Sequence, residues 1–207
     1  MGRHCSVSHR LVLLDSKTNA VRRAGGADNR ARMISAALQP DALRLFLGLW
    51  PAPALCAALQ AHAATWEWPA TTRRTAAGRL HITLHFLGNV AASRLADLPV
   101  ALQVDWSGCE VLLDQGTVWP GGIAVLEATR VPAELAQLQA ALGERLRACG
   151  LPVDERRYRP HVTLARKATG ARPPPAFAPL RWAAGPGYAL VRSLPGGRGY
   201  ETLHAFA

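Results

Sequence analysis

His161-Val-Thr-Leu-Ala-Arg166 has a twin in the same chain. His81-Ile-Thr-Leu-His-Phe-Leu-Gly88, 80 positions upstream, shares its pattern His-x-Thr-Leu. Both stretches are β-branched and aliphatic, so each reads as a short strand. Alternate side chains of a strand share a face, which sets each histidine and its threonine on one side, about 7 Å apart. The intervening isoleucine or valine and the following leucine point into a core. With 7 His in 207 residues, chance gives about 0.05 copies of the pattern, and two copies about one time in a thousand. One copy would be weak evidence; the pair is strong.

The elements around the twins alternate. Leu43–Leu49 reads as a hydrophobic strand, after which Pro51 and Pro53 open a helix that runs to about Trp66. Leu55, Leu59 and His62 share one face of it, and His62 reads as a helix-surface histidine. Thr71–Gly78 is a polar, basic loop leading to the first His strand, which Gly88-Asn89 ends; Ala91–Leu98 is a short helix. Glu110–Leu113 and Gly122–Glu127 are strands joined through the turn Trp119-Pro-Gly-Gly122. Val131–Cys149 is the clearest helix, with leucines 135, 138, 142 and 146 at helical spacing and Gly150 as its C-cap. Arg172–Pro179 is a stiff proline-rich connector. Tyr188–Leu194 and Tyr200–Phe206 close the chain as two strands. This order predicts an α+β, two-lobed fold.

Composition sets the limits. Nearly half the residues are hydrophobic, enough for a sizeable core. The domain is expected at residues 41–207, with 1–40 a basic, disordered extension lacking any helical or strand period. That extension holds half of the net charge of +10. A positive surface attracts polyanions, although arginine-rich solvation explains the charge equally well. Four scattered cysteines lack zinc-finger spacing, and no run approaches the roughly 20 apolar residues of a membrane helix. The expectation is a cytoplasmic monomer without cofactor, metal or membrane anchor.

Histidine takes and gives protons near neutrality. Two of them across a substrate divide the work, one activating the attacker and the other protonating the leaving group, which suits phosphoester cleavage. A hydroxyl two residues along each strand, Thr83 and Thr163, would face the phosphate and donate to its non-bridging oxygens. Arg166 falls on the opposite face of a regular strand. It needs a bulge or strand end to turn inward and bind phosphate; otherwise it is a surface arginine. His85 shares a face with His81 in a regular strand, about 13 Å away, too far to share a metal ion, and reads as a cleft-rim or strand-surface residue. The serine-hydrolase elbow, the P-loop and the dinucleotide fingerprint are all absent from the sequence.

At LRLFLGLWP, GRLHITLHFLG, YRPHVTLARKA and the Ser193…Gly199-Tyr200 ending, the chain resembles the two-histidine phosphoesterases, specifically the RNA 2′,3′-cyclic phosphodiesterase (2′-5′ RNA ligase) family. The resemblance runs from about Leu43 to Phe206. It implies a bilobal fold of two antiparallel-rich sheets facing a central cleft, with helices outside. It implies metal-independent hydrolysis of RNA 2′,3′-cyclic phosphate ends to 2′-phosphomonoesters, reversible as ligation. In that scheme His81 is the proton donor, His161 the proton acceptor, and Thr83, Thr163 and Arg166 bind substrate. The alternatives are a phosphodiesterase for a small cyclic nucleotide and a non-catalytic RNA- or nucleotide-binding module.

Overall fold

In the computed structural model, which describes residues 41–207, the strand expected at Leu43–Leu49 is β1, Ala42–Leu49. The basic segment 1–40 lies outside the described residues. Helix α1 spans Pro53–Ala64, its first turn opened by proline as the sequence predicts. The loop before the first His strand is not wholly irregular: Arg73–Arg74 form a two-residue strand, β2. The His strand itself is β3, Ile82–Ala91. It passes through Gly88, whose φ of 70° bends it where an end was expected. The helix expected at Ala91–Leu98 is instead a 3₁₀ turn, Ala92–Arg94, and a single α-helical turn, α2, Leu98–Ala101.

Strands β4 (Cys109–Leu113), β5 (Gln115–Trp119) and β6 (Ile123–Glu127) follow. The Trp119–Gly122 turn joins β5 to β6, so β5 is a strand that the sequence reading passed over. Helix α3 spans Ala133–Ala148 and buries Leu135, Leu138, Leu142 and Leu146, the predicted stripe. It ends in a Schellman motif. Gly150 takes φ 65°, its N–H donates to Arg147 O, and Leu151 N–H donates to Leu146 O. The second His strand is β7, His161–Arg166. Strand β8, Leu180–Ala184, was also not expected; β9 (Tyr188–Leu194) and β10 (Gly199–Phe206) are the expected final pair.

Among the described residues every strand pairing is antiparallel. One half of the main sheet runs β10-β9-β1-β3 and the other β7-β6-β5, with β2 also on β7. The halves meet at one residue pair, Ile82 with Val162, each following its motif histidine. Strands β4 and β8 form a separate ribbon. Helix α1 packs on β8 and α3 on β3. A single hydrophobic core runs through both halves, from Leu45 and Leu47 of β1 to Leu126 and Val162.

Two β-bulges decide which side chains share the face of the motif histidines. Along β3, Gly48 lies opposite Thr83, Leu47 opposite His85 and Phe46 opposite Phe86, which leaves Leu84 as an extra residue. Along β7, Val125 lies opposite Thr163 and Ala124 opposite Ala165, which leaves Leu164 extra. An extra residue reverses the alternation of faces beyond it. Leu84 and His85 therefore both turn into the core, as do Leu164 and Ala165. Phe86, 56% exposed, and Arg166, also exposed, return to the face of their histidine and threonine. The expectation for His85 as a rim or surface residue is corrected here. It is 4% exposed, and its Nε2–H donates to the Gln139 carbonyl of α3 at 2.7 Å. His62 is corrected likewise: it is buried against Phe177, and its Nε2 accepts from Trp66 Nε1–H at 3.2 Å.

Candidate active site

The structural likeness of the two motifs extends upstream of the four shared letters. Arg79-Leu-His81 and Arg159-Pro-His161 place an arginine carbonyl two residues before each imidazole. His81 Nδ1–H donates to Arg79 O at 2.7 Å, and His161 Nδ1–H donates to Arg159 O at 2.7 Å. A carbonyl only accepts, so each bond fixes the proton on Nδ1 and leaves Nε2 for chemistry.

The surroundings of the two rings differ. His81 stacks on Trp50, with centroids 5.2 Å apart and planes 13° apart, and also touches Phe46 and Tyr200 at 5.0 and 5.1 Å. Gly48, opposite Thr83, makes room for this cage. A Cβ there would lie 3.0 Å from Ile82 O and 3.1 Å from the Trp50 ring. His161 lies 4.3 Å from the Trp119 ring, over whose face the Arg159 guanidinium sits at 4.6 Å. Arg159 also makes a forked ion pair with the buried Glu127, its contacts lying between 2.7 and 3.0 Å. Glu127 is the direct cross-strand partner of His161.

Burial is the main reason both imidazoles bind protons less tightly than an ordinary histidine. The Arg166 charge pushes both further down, and a charged His161 does so for His81; Glu127 opposes the trend at His161. Arg166 lies on the face of His161 and Thr163 that the Leu164 bulge restores. Thr83 and Thr163 are half-buried, each on the face of its histidine. Among the described residues no cluster of three His, Cys, Asp or Glu side chains could hold a metal ion.

The sequence reading missed the Glu127–Arg159–Trp119 support. Two signals were available: the arginine two residues before each histidine, and the lone acid closing the apolar run Ile123-Ala-Val-Leu-Glu127.

The two halves of the antiparallel sheet thus each present one imidazole with the same Nδ1 anchor and a free Nε2. The profile of the 2′-5′ RNA ligase superfamily matches residues 51–194, a span that includes both motifs. The chain belongs to that family. Two relatives carry the name RNA 2′,3′-cyclic phosphodiesterase. The one from Escherichia coli (strain K12) is 34% identical over 113 residues, 53% of this chain and 64% of its own length. The one from Thermus thermophilus is 33% identical over 150 residues, 62% of this chain and 72% of its own. The chain thus matches somewhat under two thirds of the E. coli relative. Among solved structures, a protein described as a phosphoesterase aligns with TM-score 0.72 and 29% identity over 80% of this chain and 98% of that one. E. coli LigT complexed with 3′-AMP aligns with TM-score 0.71 and 27% identity over the same shares. The α+β two-histidine fold expected from the sequence is the fold observed.

Proposed function

We propose that this chain hydrolyses RNA 2′,3′-cyclic phosphate ends to 2′-phosphomonoesters, with His161 as base and His81 as acid. The observation that carries the reading is the pair of Nδ1-anchored imidazoles placed on either side of the Ile82–Val162 junction. The two relatives' shared name supports the substrate class.

His161 Nε2 takes a proton from water as the water oxygen bonds to phosphorus. The P–O3′ bond breaks, and His81 Nε2–H protonates the departing O3′, leaving a 2′-phosphate and a free 3′-hydroxyl. Thr83, Thr163 and Arg166 donate to the non-bridging oxygens as negative charge grows there. A neutral His161 is favoured by its burial, which suits a base. His81 is also disfavoured as a cation, and a bound anionic phosphate offsets that. The exposed Phe86 offers a ring on which a base can stack. With a ribose 5′-hydroxyl attacking phosphorus in place of water, the same two proton transfers give a 2′-5′ linkage, which is ligation.

The working form is taken as a cytoplasmic monomer. Sedimentation of the purified chain tests the monomer. The test of function is incubation with an RNA ending in a 2′,3′-cyclic phosphate, followed by identification of the product. A 2′-phosphate is expected. A 3′-phosphate would reverse the assigned leaving oxygen, and unaltered substrate would leave binding without catalysis.

A further inference from the structure

Arg73 of β2 and Arg166 of β7 are direct cross-strand partners. Side chains opposite each other in an antiparallel pair share a face, with Cα atoms about 4.5–5.5 Å apart. Arg73 is thereby placed on the face that carries His161, Thr163 and Arg166. Like charges in this register repel. Six other arginines of the described residues lie within ion-pair distance of a carboxylate. Among the described residues no carboxylate comes that close to Arg73 or Arg166, and both are exposed.

The backbone holds this repulsive pair in place. Thr75 N–H donates to Leu164 O at 2.8 Å on one side of it. On the other, Thr71 Oγ1–H donates to Lys167 O at 3.4 Å. A little upstream, Glu67 and Arg172 exchange backbone hydrogen bonds of 3.0 and 3.1 Å. The segment before the first His strand is thus tied to β7 and to the chain beyond it. The backbone beneath this cation pair is thereby held in register, so part of the ordering that an anion site needs is already made.

The geometry points to Arg73 as the site of a second phosphate, the phosphodiester that precedes the terminal nucleotide of an RNA strand. This rests on the reading above, in which Arg166 serves the reacting phosphate. A cyclic mononucleotide has one phosphate and leaves Arg73 unused. A strand end has two, so the pair of arginines selects RNA ends over free cyclic nucleotides.

The test is a comparison of affinities, which needs no turnover. A dinucleotide carrying a terminal 2′-phosphate and the corresponding nucleoside 2′-monophosphate are titrated into the wild-type chain and into Arg73→Gln. The wild type is expected to prefer the dinucleotide. Arg73→Gln should reduce that preference about tenfold, the worth of one charge-assisted contact. The dependence of log affinity on log salt for the dinucleotide should also fall by about 0.7. Arg73→Lys should retain most of the preference. An unchanged ratio, or an equal loss for both ligands, overturns the proposal. Turnover of a cyclic-ended dinucleotide by the wild type, measured alongside, reports separately on the phosphodiesterase reading. Loss of the preference in a chain without turnover would sustain this site and overturn only that reading.

Discussion

Glu127 and His161 face each other directly across β6 and β7, and the arginine that neutralises the buried carboxylate also supplies the carbonyl that anchors the imidazole. His81 has the same carbonyl anchor, from Arg79, but a cage of Trp50, Phe46 and Tyr200 around its ring. Two motifs alike in sequence are thus given unlike surroundings. Glu127→Gln should lower kcat about tenfold, because Arg159 loses its charged partner and the backbone turn at His161 loosens. The carboxylate raises the proton affinity of His161. Its removal should therefore also move the acid limb of the kcat/KM profile to lower pH. A loss of kcat with an unmoved limb would assign Glu127 to folding alone.

His81→Gln and His161→Gln should each reduce kcat by about 10²–10⁴, the usual worth of a positioned acid or base. Circular dichroism should show both variants folded. Turnover of the wild type should survive a chelator. Wild-type rates in either variant would end the two-histidine assignment.

Activity and stability should respond to pH with different shapes. One histidine must be neutral and the other charged, so kcat/KM should be bell-shaped, with two macroscopic values belonging to the pair. Both values are expected below the ordinary histidine value of about 6.5, because burial lowers each. For stability, His62, His81, His85 and His161 are all depressed in the folded chain. Below about pH 6.5 the unfolded chain then binds more protons, so stability is full above that value and is lost as pH falls toward the folded values. The melting temperature at about pH 5.5 should lie below that at about pH 7.5. An equal or higher value in acid would contradict the burial of these rings.

His85 should separate from the catalytic pair in its effects. Its ring joins β3 to α3 through the Gln139 carbonyl. His85→Leu should cost about 1–2 kcal/mol by removing a buried hydrogen bond, read as a lower denaturation midpoint. The rate constant for turnover should stay near wild type. A fall in kcat comparable with that of His81→Gln would return His85 to the cleft.

Much of this was legible in local pattern. The twin His-x-Thr-Leu strands, the leucine stripe of α3 and its Gly150 cap each follow from spacing within a few residues. The errors arose where pairing overrides spacing. Period-two alternation puts His85 on the face of His81, at the rim, but β1 offers one residue where β3 has two, and the Leu84 bulge turns that imidazole inward. The same device on β7 settles Arg166, which alternation alone placed on the wrong face. His62 looked like a surface residue because helical spacing does not say that Trp66 and Phe177 will close over it. Strand β8 pairs with β4 across some seventy residues of chain, a contact without a local signature.

The position five residues after each histidine is occupied by an aromatic ring in one half, Phe86, and by a guanidinium in the other, Arg166. Two near-mirror strands on their own would accept a substrate in either direction. Together with the unlike surroundings of the two imidazoles, this unlike pair makes the two near-mirror strands chemically distinct along their length.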